Sequence, residues 1–209
     1  MVLVTPDAQR TLNTFLGVSA EIGPDDIDED LVVSSAVLYV EGYLWDAPGA
    51  KAAILRAMEV GKMAGRKVAF TLSDPFCVER HRHEFVELVT EKVDILFANE
   101  VEIAALVGGG SFEAAVEAVG EMVELACLTR SEHGSVVVSA DGGVVAVPAE
   151  AVMSVVDTTG AGDLYAAGFL YGLVRGKPLA ECARLGGSAA AEVISHLGAR
   201  PRISLAELI

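Results

Sequence analysis

Val155-Val156-Asp157-Thr158-Thr159-Gly160-Ala161-Gly162-Asp163-Leu164-Tyr165-Ala166-Ala167-Gly168-Phe169 carries the chemistry of this chain. The short apolar run Val152 to Val156 reads as the end of a buried strand. Asp157, Thr158 and Thr159 then offer three capping side chains in succession, and Gly160-Ala161-Gly162 follows with almost no side chain. From Asp163 the pattern turns helical, with Leu164, Ala167, Phe169, Leu170 and Leu173 near 3.6-residue spacing. Small residues at a helix start leave backbone N–H groups bare, and these add to the helix dipole to attract an anion. Asp163 stands at the rim of that site. A carboxylate beside an anion is explained if it takes the proton from a hydroxyl that attacks bound phosphate. The plainer alternative is close helix–strand packing with a dipole-favoured Asp in the first turn.

Working outward, the rest of the chain alternates short apolar runs with helical patterns. Val2 to Thr5 and Thr11 to Leu16 read as two strands of a hairpin turning at Asp7 to Arg10. Gly23 to Asp26 is a loop whose acids can start a short helix. Val37 to Val40, Val68 to Leu72, Asp94 to Ala98 and Ala126 to Thr129 read as strands. Asp46 and Pro48 open the first long helix as cap and first-turn residue, and Gly65 closes it. Ala52, Ile54, Leu55, Met58 and Met63 supply its apolar face. A second helix carries Phe85, Val86, Leu88 and Val89, and two shorter ones run from Glu100 to Val107 and from Phe112 to Glu124. Ser135 to Ser139 and Val144 to Val147 pair across Ala140-Asp141-Gly142-Gly143. The last helices run from Ala161 and from Pro178 to His196. The expected class is therefore α/β, a doubly wound and mostly parallel sheet with right-handed crossovers and helices on both faces. Ligands of such sheets bind beyond the carboxyl ends of the strands, where Asp157 falls.

With 209 residues, 52% of them hydrophobic, the chain can bury one sizeable core. A formal charge of −15 argues against nucleic acid as a partner, and no apolar run approaches a membrane span. The same charge demands that any phosphate site be built from backbone dipoles and metal. Cys77, Cys127 and Cys182 are far apart and odd in number, which points to buried thiols rather than a disulfide frame or a zinc site. A reducing, cytoplasmic setting follows, and Met1 to Pro6 does not read as a signal peptide. Gly108-Gly109-Gly110-Ser111 lacks the Lys of a P-loop, and no G-x-G-x-x-G follows an early strand. His81 and His83, two apart, do not face one another on a helix.

Asp157-Thr158-Thr159-Gly160-Ala161-Gly162-Asp163 resembles the signature of the ribokinase-like (PfkB-type) carbohydrate and nucleoside kinases. The resemblance implies that Asp163 is the catalytic base and that the backbone of Gly160, Ala161 and Gly162 is the anion hole for the transferred phosphoryl group. Asn99 and Glu102, three apart at a helix start, are ordinary N-capping when taken alone. They match the family's Asn-x-x-Glu motif, whose Glu organises the water shell of Mg²⁺ on the phosphates. Thr129, Ser131 and Gly134 match a loop that runs along the nucleotide, Ser131 standing where many members have Gly. Thr159 belongs to the same nucleotide site. Gly187, in the thin-walled run Gly186 to Ala191, either serves helix packing or flanks the adenine pocket. Gly198-Ala199-Arg200-Pro201 resembles the family's closing turn. Many members bind a monovalent cation such as K⁺ there, near the Asp that Asp157 matches, although Arg202 replaces a common small polar residue.

The similarity covers the chain from the hairpin holding Arg10 to Arg202, and is greatest to a bacterial adenosine-kinase-like branch. Asp7 to Thr11, Glu41 to Trp45, Leu72 to Cys77 and Gly198 to Pro201 carry that likeness. It implies ATP, Mg²⁺ and a small-molecule acceptor, adenosine converted to AMP, or a sugar of ribose or fructose type. Residues 1–20 are expected to form part of a lid, and 21–209 an incomplete catalytic domain. Family members are longer, with substrate-gripping Asp and Gly-Gly motifs in an N-terminal part that is not found here. The alternative is therefore a nucleotide-binding fragment without catalysis. Val37 to Val40 and Val68 to Leu72 are expected to be uncovered by that loss and to drive self-association through an open sheet edge.

Overall fold

In the computed structural model, which describes residues 1–208, the chain opens with an antiparallel hairpin of β1 (Val2–Val4) and β2 (Arg10–Leu12). The returning strand is shorter than its sequence pattern. It stops at Leu12 because β1 offers only three residues to pair with, and Phe15 is left 95% exposed. After α1 (Glu29–Ser34), capped by Asp28, come the strands β3 (Val37–Glu41), β4 (Lys67–Thr71), β5 (Ile95–Asn99), β6 (Leu125–Thr129), β7 (Ser135–Ser139) and β8 (Val144–Val147). They form one six-stranded sheet in sequence order, with β3, β4 and β5 parallel in the register Tyr39 to Ala69 to Ile95. α2 (Pro48–Met63) and α3 (Pro75–Lys92) join the first three strands. α4 (Glu100–Val107) and α5 (Phe112–Gly120) lead from β5 to β6. α6 (Ala161–Val174) and α7 (Leu179–Ile194) complete the mostly parallel α/β architecture.

Two compact units can be described separately. The first comprises Leu16–Leu128 and Val138–Val144. Its core is aromatic at the centre: Phe85 meets Phe70 edge-on at 5.2 Å and Trp45 at 5.7 Å. Phe70, Leu72, Leu96 and Leu106 are wholly buried in the same unit. Asp74 starts α3 by accepting the N–H groups of Phe76 and Cys77, both at 3.2 Å, a cap worth about 1 kcal/mol. The second unit holds Met1–Phe15, Thr129–Val137 and the described residues from Val145 onward. There α6 and α7 touch backbone to backbone. A Cβ on Gly168 would lie 2.6 Å from the Leu185 carbonyl oxygen, and one on Gly186 2.7 Å from that of Tyr165.

Several local readings change. Val152 to Val156 forms no strand; the N–H of Val156 bonds instead to the carbonyl of Ile194 at the end of α7, at 2.8 Å. Asp46 does not cap α2, whose N-cap is Ala47 with Pro48 in the first turn; its carboxylate is held by Arg80 and His81. The buried face of α2 is Ala50, Ala53, Ile54, Ala57 and Met58, while Met63 is 83% exposed. On α6 the buried residues are Tyr165, Ala166, Phe169 and Gly172, so of the expected stripe Phe169 is buried while Leu164, Ala167, Leu170 and Leu173 are not. Only β3 of the two suspect strands is an edge. β4 lies inside the sheet with Val68, Ala69 and Phe70 fully buried, so it is not uncovered.

Cys77, Cys127 and Cys182 are buried thiols that form no disulfide among the described residues. Burial pushes the Cys77 thiol up to about 11 and raises Cys182 as well. Among the described residues no single helix is long and apolar enough to cross a membrane.

Candidate functional site

Asp157 is the anchor of the signature loop. Its side chain is buried, and Oδ1 accepts the backbone N–H and the hydroxyl of Thr159 at 2.9 and 2.5 Å. Oδ2 accepts the N–H of Gly198 at 2.9 Å, tying the loop to the turn after α7. The Thr159 hydroxyl, then the Gly198 and Thr159 N–H groups, lower the pKa of this carboxyl, and Arg10 adds a smaller effect. A depressed folded-state pKa stabilises the fold above the ordinary carboxylate pKa of about 3.9, and that stability is lost as pH falls through the lower folded value. Unfolding of Asp157→Asn and the parent, compared across pH, is therefore expected to show a gap that is constant from neutral pH down to the carboxylate range and then narrows. A gap that widened in acid would reverse the assignment.

Thr158 faces the other way. Its hydroxyl accepts Arg10 Nη1 at 2.7 Å and donates to the carbonyl of Ala8 at 3.3 Å. The tip of the β1–β2 hairpin is thus fastened to the signature loop, and a guanidinium is brought beside it. Sequence reading passed over Arg10 as a site residue. Only its place in a turn, 148 positions away, was visible there.

Gly160 ends the loop in the left-handed region, φ 83° and ψ 0°, and serves as the N-cap of α6 without a side-chain bond. The three preceding polar residues are therefore not the cap; Asp157 and Thr158 are spent on Gly198 and the hairpin. A Cβ on Gly160 would come within 3.0 Å of Ala199. The Ala161 N–H donates to Thr158 at 3.3 Å, so it is partly engaged, and the first helical bond runs from Leu164 N–H to Gly160 at 2.9 Å. The N–H groups of Gly162 and Asp163 lie ahead of that ladder. Above Gly162 a Cβ would meet nothing within 4 Å, so the backbone here is open to a ligand. Asp163 is exposed and bonds to none of the described residues.

In the 129–134 loop, Ser131 holds φ 48° and Gly134 φ 80° with ψ −132°. The loop is closed by Arg130 N–H to Gly134 at 2.8 Å and Gly134 N–H to Ser131 at 3.1 Å. Ser131 thus adopts a conformation that favours glycine, as its matching position implies. Gly187 looks onto Glu150, whose Cγ would be 3.8 Å from an added Cβ, and Ser188 bonds Glu150 at 3.3 Å. The tight packing of the run belongs to Gly186, not Gly187. The Arg202 side chain is exposed, and its backbone N–H donates to Glu192 Oε1 at 2.8 Å.

Asn99 and Glu102, in the other unit, form a complete capping box at the start of α4. Asn99 Oδ1 accepts the N–H groups of Val101 and Glu102, both at 2.9 Å. Glu102 returns both oxygens, to the N–H of Asn99 at 2.9 Å and to its amide at 2.7 Å. Glu102 is 6% exposed. The capping reading is thereby met in full.

The family model described as pfkB family carbohydrate kinase matches residues 1–205. The adenosine kinase from Sinorhizobium meliloti superposes with a TM-score of 0.97 at 50% identity, over 100% of this chain and 64% of that one. A probable sugar kinase from Rhizobium etli CFN 42 gives 0.97 at 45% identity, over 100% and 63%. The 5-dehydro-2-deoxygluconokinase of Bacillus licheniformis is 30% identical over 194 residues, 90% of this chain and 59% of the relative. The chain belongs to the pfkB family of carbohydrate kinases, and its fold is ribokinase-like. It spans about three fifths of the length of these three relatives.

Proposed function

We propose that this chain is the nucleotide-binding and catalytic part of a kinase that moves a phosphoryl group from ATP to a primary hydroxyl, adenosine's 5′-hydroxyl first and a sugar hydroxyl second. The observation that carries the reading is Asp163, an exposed carboxylate with no hydrogen-bond or ion-pair partner among the described residues, beside the open backbone at Gly162. Asp163 accepts the acceptor hydroxyl's proton. The N–H groups of Gly160 and Gly162, with the partly engaged one of Ala161, face the charge that builds on the phosphoryl oxygens. Arg10, held by Thr158, adds positive charge from the hairpin tip. Residues 1–20 are accordingly read as part of a lid.

Thr129, Ser131, Gly134, Thr159 and Gly187 are assigned to the nucleotide. The shape of the 129–134 loop and the room over Gly187 support this assignment. Glu102 would hold Mg²⁺ through its waters, as the family's Asn-x-x-Glu motif implies, and the metal would supply charge neutralisation at the phosphates. Asp157 retains one lone pair on Oδ2 for a K⁺-like ion. Adenosine is preferred because the relative at 50% identity is an adenosine kinase. A panel of adenosine, other nucleosides and ribose with labelled ATP tests the choice, and adenosine no better than ribose removes it. Retained ATP binding with no transfer to any acceptor would favour the alternative, a nucleotide-binding part without catalysis of its own.

Self-association is proposed through β3, which lies at the sheet's edge with Val37 and Leu38 only half-buried. Size-exclusion with light scattering is expected to give a mass above that of one chain. A monodisperse, cooperatively melting monomer would end the proposal.

A further inference from the structure

Away from the signature loop, three side chains with metal-binding donors converge where no role has been assigned. Cys77 and His81 are four apart on α3, so their side chains share one face of the helix. Asp46 comes to them from the turn that follows β3. One ligating atom from each of Asp46, Cys77 and His81 lies within 4.8 Å of the others. The depths are graded: Cys77 is wholly buried, the His81 side chain is 23% exposed and that of Asp46 48%. The backbone of α3 is also broken at His81, with φ −115° and ψ 19°, at the residue whose Nε2 sits 2.8 Å from Asp46 Oδ1.

We propose that Asp46, Cys77 and His81 bind a zinc-class divalent ion that fastens the turn after β3 to α3. A thiol, an imidazole and a carboxylate form a donor set for Zn²⁺ and its softer neighbours, not for Mg²⁺ or Ca²⁺. Zinc ligands at about 2.0–2.3 Å from the metal stand roughly 3.3–3.8 Å from one another in a tetrahedron. The donors, within 4.8 Å of one another, therefore have to close by roughly 1 Å to ligate one ion. Binding replaces the Asp46 Oδ1 to His81 contact, loosens the 3.2 Å bond from Arg80 Nε, and releases the Cys77 proton to solvent, ending the 3.4 Å bond that the thiol donates to the Gly42 carbonyl. Arg80 Nη2 stays on Asp46 Oδ2 at 2.6 Å and orients the carboxylate from outside. Three protein ligands leave the fourth position to water at the exposed rim. The single cysteine explains why sequence reading set zinc aside: its partners are one helical turn away and on another element, not in a cysteine pair.

The test uses the unmodified chain, stripped with a chelator and titrated with Co²⁺. One equivalent is expected to produce visible d–d bands and a near-ultraviolet thiolate-to-cobalt band, both abolished by Zn²⁺. Cys77→Ser should lose the thiolate band, whereas Cys127→Ser and Cys182→Ser keep it. X-ray absorption of the zinc form should show one sulfur at about 2.3 Å with nitrogen and oxygen at about 2.0–2.1 Å. This measurement decides the matter even if Cys77→Ser fails to fold. Zn²⁺ at a hundredfold excess over its Kd should raise the melting temperature by roughly 5–10 °C, with no shift from Mg²⁺. No cobalt band, a band that survives Cys77→Ser, or a zinc shell without sulfur would overturn the proposal.

Discussion

Asp163→Asn is expected to lower phosphoryl transfer by about 10²–10⁴, the usual worth of a positioned general base, while ATP binding measured by calorimetry stays near the parent value. The substitution is nearly isosteric and the side chain is exposed, with no bond to the described residues, so it has little structure to disturb. Loss of a carboxylate from the first turn of α6 costs about 0.3–1 kcal/mol of dipole interaction. That is too little to unfold the chain, so a rate loss would report on chemistry. The measurement is labelled-phosphate transfer under saturating ATP, on the form of the protein that transfers phosphate. Transfer at the parent rate would show that another group takes the proton. A loss of ATP affinity equal to the loss of rate would recast Asp163 as a binding residue.

Gly134→Ala is expected to cost about 3–5 kcal/mol, and so to lower the melting temperature by roughly 10 °C or more. The reason is geometric. At φ 80° and ψ −132° an added Cβ would lie 2.6 Å from both the Ala149 nitrogen and the Pro148 carbonyl carbon, and closer still to the Val147 carbonyl oxygen. All three are backbone atoms that cannot swing aside as a side chain end would. Gly187→Ala is the internal contrast. Its Cβ meets nothing nearer than Glu150 Cγ at 3.8 Å, and in a helix interior Ala is favoured over Gly by about 0.5–1 kcal/mol. Thermal melts of the two variants should therefore move in opposite directions. A Gly134→Ala chain melting at the parent temperature would mean that the 129–134 loop is free to relax.

Where the two levels agree, the deciding residues act locally. The capping box at Asn99 and Glu102 was readable because both members lie within one turn and satisfy each other's bonds. The hairpin at Asp141-Gly142 was readable for a similar reason: Gly142 takes φ 86°, and the two strands keep their expected bounds. Disagreement begins where a residue's best partner is remote. Asp46 has the composition of a helix cap, yet charge-assisted bonds to Arg80 and His81 outweigh a cap on α2. Asp157, Thr158 and Thr159 look like three caps in a row. Gly198 and the hairpin claim two of them, and the third folds back on Asp157.

The sequence by itself determined the α/β class, nearly every strand and helix, and the position of the signature from Asp157 to Asp163. Those follow from apolar periodicity, glycine and capping residues, which act over a few positions and survive without a fold around them. Only the tertiary structure decided that Arg10 is fastened to Thr158, that Val152 to Val156 leaves the sheet to bond the end of α7, that β4 is interior while β3 is an edge, and that Asp46 meets Cys77 and His81. Each of these depends on contacts between residues far apart in the chain, or on which element covers which. Local pattern carries no record of distance in space, so such contacts exist only once the chain has packed.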